Sequence, residues 1–261
     1  MARPVLVTYR VWATGAEVAA GAAGMFAASA AAAVAARGMA RIAVSGGTTP
    51  KTMFALLADQ SQPYFARVPW DKLHLFWVDE RCVGPTEPDS NYRMTNEAML
   101  SKVPLPAAQI HRIEGELEPE VAAAKYEAAI RAEFGAEVPV FDLVLLGMGD
   151  DGHTASLFPH TAALHEVARI AVANHVPQQK QSWRVTLTWP VINRGREVAF
   201  LIEGAGKTDV LHDVLLGKYD PETHPSQLIR PESGTVTFLL DAAAAGKLPE
   251  AKGGVGTLQL A

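Results

Sequence analysis

Apolar runs recur along the chain at Val5–Tyr9, Arg41–Ser45, Leu73–Val78, Phe141–Leu146, Ile170–Ala173, Arg184–Thr188, Val198–Ile202 and Thr235–Leu240, and each reads as a strand. Between most of them lie helical patterns, clearest over Pro50–Ala58, Asn91–Leu100, Glu118–Phe134 and Lys207–Leu216, each entered from a turn or polar segment that can cap it. This alternation predicts a parallel or mixed sheet wrapped by helices. The stretch Val18–Ala36 carries no charge, yet it consists mostly of Ala, Gly and Ser, so its drive to enter lipid falls far below that of a leucine-rich span. It reads as a buried or half-buried helix closed by Arg37-Gly38, with a secretory signal as the competing reading because its end is rich in small residues. Pro/Gly-rich stretches at Cys82–Asp89 and Lys218–Pro231 predict surface loops. No internal repeat or compositional break divides the chain.

At 261 residues the chain has room for one large α/β domain. Apolar residues make up 49% and charged residues 20%, the balance of an ordinary globular protein with no room for extensive disorder. With 23 basic against 28 acidic residues the formal charge is −5, and there is no long basic run, so no nucleic-acid partner is expected, although a local cationic pocket is compatible with this balance. No membrane partner is expected either. The single cysteine, Cys82, excludes an internal disulfide, and no Cys/His cluster has zinc-like spacing. The expectation is a reducing, cytoplasmic setting without a structural metal.

Gly147-Met148-Gly149-Asp150-Asp151-Gly152-His153 follows a run that reads as a buried parallel strand, which puts this loop at the strand's carboxyl end, where open α/β sheets place ligands. Its glycines satisfy G-x-G-x-x-G. Asp150 and Asp151 would nevertheless repel a pyrophosphate, Pro159 interrupts the helix, and no acid near Ala171–Ala173 is available for a ribose, so no dinucleotide cofactor is expected. His153 beside a carboxylate reads either as a general base held in one tautomer or as a loop cap without chemistry. Ser45-Gly46-Gly47-Thr48-Thr49-Pro50 runs from strand to helix, with threonine as the expected cap and proline at the first helical position. It is either an anion site, with glycines admitting the ligand and Ser45, Thr48 and Thr49 donating to it, or a tight capped turn. Gly204-Ala205-Gly206-Lys207-Thr208 imitates the end of a P-loop but has Leu201 in place of the first glycine; Lys207 either faces an anion or is an exposed helical lysine. In Asp79-Glu80-Arg81, Arg81 either grips phosphate, with Asp79 or Glu80 fixing it or binding sugar hydroxyls, or the three form an internal ion-pair network. G-x-S-x-G and H-E-x-x-H are absent and Cys82 has no evident histidine partner, so nothing points to covalent or zinc-dependent hydrolysis.

Taken in order, Ser45-Gly-Gly-Thr-Thr-Pro50, Asp79-Glu-Arg81, Ser90-Asn91, the segment Gly147–Pro159, Arg184-Val-Thr-Leu-Thr188 and Gly206-Lys207 resemble the lactonase branch of the glucosamine-6-phosphate isomerase/6-phosphogluconolactonase family, from about Arg41 to Leu216. The resemblance implies an α/β fold, with an open, mostly parallel, Rossmann-like sheet and helices on both faces, in a single domain spanning residues 1–261. It implies hydrolysis of 6-phosphoglucono-δ-lactone to 6-phosphogluconate in the oxidative pentose phosphate pathway, with neither cofactor nor metal. It makes His153 the base that activates water and Asp151 or Asp150 the group that orients the imidazole. Ser45, Gly46, Gly47, Thr48, Asp79, Arg81, Arg184 and Lys207 fall to the substrate. Deaminases of the family carry a glutamate just before the proline of the long loop; Phe158 stands there in this chain, which disfavours a deaminase or isomerase, and an intact His153 disfavours a catalytically idle sugar-phosphate sensor. Gly84 departs from the branch, where a proline usually follows Asp-Glu-Arg, and leaves the shape of the Cys82–Asp89 loop open.

Overall fold

The computed structural model describes residues 5–135 and 138–260. In chain order the elements are β1 (Val5–Trp12), α1 (Gly15–Arg37), β2 (Ala40–Val44), α2 (Thr48–Ala58), β3 (Leu73–Trp77), β4 (Asp79–Arg81), α3 (Asn91–Ala98), β5 (Ile110–His111) and α4 (Pro119–Phe134). They continue as β6 (Leu143–Leu146), β7 (Ala171–His175), β8 (Trp183–Leu187), α5 (Trp189–Ile192), β9 (Glu197–Ile202), α6 (Thr208–Leu216), β10 (Thr235–Asp241) and β11 (Val255–Leu260). Eight strands form one sheet in the order β11-β1-β10-β9-β6-β2-β3-β5. It is parallel throughout except at the edge, where β11 runs antiparallel to β1.

All eight apolar runs are strands, but two of them, around 171 and 184, leave the main sheet. β7 and β8 pair antiparallel with each other, and β8 pairs antiparallel with β4, making a second sheet in the order β4-β8-β7. β4 lies one residue beyond the end of β3, so the chain steps from the large sheet into the small one at Val78, whose N–H and C=O bond to Val44 and Leu187 respectively. β4, β5 and β11 have no counterpart among the apolar runs. β4 is a charged tripeptide, β5 has two residues, and β11 alternates exposed with half-buried positions at the sheet edge.

α1 extends slightly beyond the uncharged stretch at each end. Thr14 and Glu17 form a reciprocal capping box at its start, and Gly38, at φ 81°, closes it in the left-handed conformation. Val18, Ala19, Ala22, Ala23, Phe26, Ala27, Ala30 and Ala33 are buried, spaced as one helical face. The small side chains let this face approach the strands closely. By length and composition α1 is the one helix among the described residues able to cross a membrane, and that same apolar face is packed against β1, β2, β6, β9, β10 and α2.

The turn into α2 differs from the expected threonine cap. Gly47 is the N-cap, at φ 116°, and no side chain caps the helix. A left-handed residue there turns the chain two positions earlier than Thr49, which draws Thr48 and Thr49 into the first turn and puts Pro50 at its third position.

Candidate active site

β9, β6 and β2 are neighbours in the middle of the large sheet, and the loops at their carboxyl ends meet around one cleft of about 250 Å³. Ser45 to Thr48 follow β2, Gly147 to Gly149 and His153 follow β6, and Glu203 and Lys207 follow β9. The small sheet completes the wall with Asp79, Arg81 and Arg184. The cleft therefore gathers the sequence-predicted site residues except Glu80, Asp150 and Asp151, and it lies where parallel sheets present ligands.

His153 is held from two directions. Its Nδ1 is 2.5 Å from Asp151 Oδ1, which also accepts its backbone N–H at 3.1 Å. Burial pushes the Asp151 carboxyl up, but the hydrogen bond and charge of His153 outweigh it and leave the group below the usual carboxylate range. An ionised Asp151 can only accept, so the proton between the two sits on Nδ1 and leaves Nε2 as the basic nitrogen. Gly149 provides the room, since a Cβ there would stand 2.0 Å from His153 Nδ1. Asp150 is highly exposed and is ion-paired with Lys207 instead of His153. The fork left open by the sequence thus has a geometric answer: Asp151 faces the imidazole and Asp150 faces the cation.

Second-sheet residues brace this loop. Ser156 Oγ donates to Asp79 Oδ2 at 2.7 Å, Ser156 N–H to Thr186 Oγ1 at 3.2 Å, and Asn174 Nδ2 to the Ser156 carbonyl at 2.9 Å. Ala155 and His160 hold positive φ, at 48° and 58°, backbone strain of the kind that surrounding contacts must enforce.

Three cations line the same cleft. Arg81 and Arg184 are register partners across β4 and β8. Arg81 Nη1 donates to the Asp89 carbonyl at 2.6 Å, while its buried Nε has no partner among the described residues. Arg184 Nε donates to the Gln181 carbonyl at 2.7 Å. Burial lowers the Arg184 pKa, with Asp79 opposing and Arg81 adding to the effect. Lys207 is half-buried, at 23% side-chain exposure, rather than an exposed helical lysine.

Two expected contributors are engaged otherwise. Ser45 Oγ donates to the Leu145 carbonyl at 2.8 Å, tying β2 to β6, so its proton is not free for an anion. Glu80 is buried and accepts from the backbone N–H of Arg81, Asn91 and Tyr92, each at 2.8 Å, and from Ser90 Oγ at 3.0 Å. It is the anchor of the α3 N-terminus. Burial raises its pKa against those hydrogen bonds, and both of its oxygens accept from the segment that opens α3.

Asn91 and Glu203 also line the cleft. Asn91 opens α3 and donates from Nδ2 to the Asp79 carbonyl at 3.0 Å; its signal is the cap dipeptide Ser90-Asn91. Glu203 is the first residue beyond β9, and position alone marks it.

Metal-ligating groups within mutual reach, among the described residues, occur at His74, His111 and Glu133, far from these loops on β3, β5 and α4. His74 Nδ1 lies 3.0 Å from His111 Nε2 and 3.1 Å from Glu133 Oε2, with the two imidazole centroids 5.3 Å apart and their planes 15° from parallel. Arg41 holds the other oxygen of Glu133.

Comparison with known proteins agrees with this architecture. A family profile described as glucosamine-6-phosphate isomerases/6-phosphogluconolactonase matches residues 13–238. A 6-phosphogluconolactonase of Synechocystis sp. is 43% identical over 220 residues, covering 83% of this chain and 88% of that one. The solved 6-phosphogluconolactonase from Trypanosoma cruzi superposes with a TM-score of 0.80 at 30% identity, covering 93% and 97% of the two chains. A monomeric glucosamine-6-phosphate deaminase shares the fold, with a TM-score of 0.74 at 17% identity, covering 91% of this chain and 98% of that one. Phe158 is a buried apolar residue at the position where the deaminases of the resemblance carry their acid. By profile, sequence and fold together, the chain belongs to the glucosamine-6-phosphate isomerase/6-phosphogluconolactonase family.

Proposed function

We propose that this protein hydrolyses 6-phosphoglucono-δ-lactone to 6-phosphogluconate. The observation that carries the reading is the pairing, in one cleft, of a histidine oriented by an ionised carboxylate with three cations that line the same cleft. A ring ester needs only an activated water and stabilisation of the tetrahedral oxyanion. His153 Nε2 takes a proton from water as the water oxygen bonds to the ring carbonyl carbon. Collapse of the tetrahedral intermediate breaks the bond to the ring oxygen, which leaves with the proton returned by the imidazolium. The products are a free sugar hydroxyl and a carboxylic acid that releases its proton to solvent to become the carboxylate, and Asp151 keeps its charge throughout.

Arg81, Arg184 and Lys207, with the uncapped start of α2 at Gly46, Gly47 and Thr48, take the phosphate and adjoining sugar oxygens. The unpartnered Nε of Arg81 supports this, because a buried donor without an acceptor calls for a ligand. Asp79 holds the Ser156 end of the catalytic loop and faces the same ligand. In this reading the 261 residues act as one domain in the cytoplasm, as a step of the oxidative pentose phosphate pathway.

The test is hydrolysis by purified protein of freshly generated 6-phosphoglucono-δ-lactone beside the unphosphorylated lactone, with the spontaneous rates subtracted. Selective acceleration of the phosphorylated lactone is expected. Equal acceleration of both removes the phosphate assignments, and acceleration of neither removes the activity.

A further inference from the structure

Phe158 is only 1% exposed, yet its side chain does not join the contiguous apolar core that takes in its neighbour Leu157. Its ring meets polar groups of the cleft instead. The His153 imidazole stacks on it with centroids 3.9 Å apart and planes 21° from parallel, and the Arg184 guanidinium carbon lies over it at 5.6 Å. The backbone beneath is pinned. The Phe158 carbonyl accepts from Thr161 Oγ1 at 2.8 Å, and Thr161 in turn receives Asn174 Nδ2 of β7 at 3.0 Å.

We propose that Phe158 is a positioning residue of the reaction: its π face presents the His153 imidazole and stabilises the positive charge that this ring acquires on taking the proton of the attacking water, while the same ring steadies Arg184 in the cleft. The inference rests on the lactonase reading and deepens it. Asp151 acts in the plane of the imidazole through Nδ1, and Phe158 acts from its face. A π face attracts a cation far more than a neutral ring, and does so most strongly where water is excluded. The interaction therefore grows between the bound substrate and the transition state, which is the condition for raising turnover rather than affinity.

Fluorination withdraws π density with little change of ring shape, so mono-, di- and trifluorophenylalanine at position 158 separate electrostatics from packing. Turnover of the phosphorylated lactone should fall stepwise along the series, by about tenfold in all, while KM rises by a smaller factor through Arg184. Phe158→Leu should lose at least as much as the trifluoro form. A flat series together with an unimpaired Phe158→Leu enzyme overturns the proposal. The His153 ring protons report the stacking without any turnover. An upfield NMR shift in the wild type that disappears in Phe158→Leu supports it, and a folded wild-type protein without that shift overturns it. A wild-type protein inactive on the lactone removes the functional reading by itself and leaves the NMR result to decide the geometry.

Discussion

Asp150 and Asp151 are adjacent in sequence and equivalent in composition, but they have different partners, His153 for Asp151 and Lys207 for Asp150, and a pair of isosteric substitutions tests the roles proposed for them. Asp151→Asn keeps an oxygen for the Nδ1–H of His153 and removes the charge that faces the imidazolium. A hydrogen bond to a charged partner contributes about 1.5–3 kcal/mol and a neutral one about 0.5–1.5 kcal/mol, so the transition state loses on the order of 1–2 kcal/mol. That corresponds to a fall in kcat of roughly 5- to 30-fold, with little change in KM. Asp150→Asn removes only an exposed ion pair with Lys207, an interaction of small net worth. Its kcat should stay within about twofold of wild type, and 6-phosphogluconate should bind somewhat more tightly because Lys207 is released. The sign for pH follows from the depressed Asp151 pKa. Its charge is complete above the ordinary carboxylate range and is lost only as pH falls through the lower folded value, so in the wild type the contribution of the Asp151 charge should persist across neutral pH and disappear only on acidification below that range. Stopped-flow hydrolysis of enzymatically generated lactone reads the rates, and calorimetry reads the product affinity. If Asp150→Asn lowers kcat as far as Asp151→Asn does, the assignment of the two aspartates is wrong.

Three further outcomes test other parts of the structure. Arg81→Ala should weaken 6-phosphogluconate on the order of a hundredfold, because a partly buried guanidinium with an unpartnered Nε is lost from the cleft; equal affinity by calorimetry would show that the phosphate lies elsewhere. Cys82, its thiol pushed up to about 11 by burial and by Glu80 against the pull of Arg184, should react slowly with iodoacetamide near pH 8 and speed up only in strong alkali; rapid alkylation at neutral pH would contradict that environment. Ala27→Leu adds bulk to the fully buried face of α1 and should cost about 1–3 kcal/mol, read as a lower melting temperature, whereas an unchanged melt would mean that this face does not press on the sheet.

Periodicity reveals an element when its side chains are buried in a regular way, and that is why six strands of the large sheet and the long helices are legible. Leu143–Leu146 is buried at every position, and α1 buries one helical face. β4 was hidden because Asp79, Glu80 and Arg81 look like a loop when charge alone is counted; their partners on β8 lie about a hundred residues away. The same distance hid the second sheet, since nothing local distinguishes a strand that pairs with β4 from one that joins the main sheet. Site residues showed through where a turn or strand end concentrates glycine, hydroxyl and charge, as at Gly46-Gly47-Thr48 and around His153. The roles of Ser45 and Glu80 were not legible, because each depends on which backbone groups of another element come within hydrogen-bonding distance.

The pairing of Arg81 with Arg184 sets a last quantity that can be measured. Like charges directly opposite each other in an antiparallel pair are destabilising, and burying Arg184 adds to the cost. The small sheet therefore carries a pair of juxtaposed cations that Asp79 offsets in part, and a dianion between the two side chains relieves the remaining repulsion. A ligand that binds only the folded state at a hundred times its dissociation constant stabilises by about 2.7 kcal/mol. For a protein of this size each kcal/mol moves the melting temperature by roughly 2–4 °C, so saturating inorganic phosphate should raise it by roughly 5–11 °C over sodium chloride of equal ionic strength. Arg184→Met keeps an unbranched apolar stem and removes the cation. The loss of the bond to the Gln181 carbonyl and the relief of repulsion from Arg81 act in opposite directions, so the ligand-free melt should change little, while the phosphate-dependent rise should fall by more than half. A variant that melts far below the wild type yet keeps the full phosphate response would show that Arg184 serves the fold and that the anion is held without it.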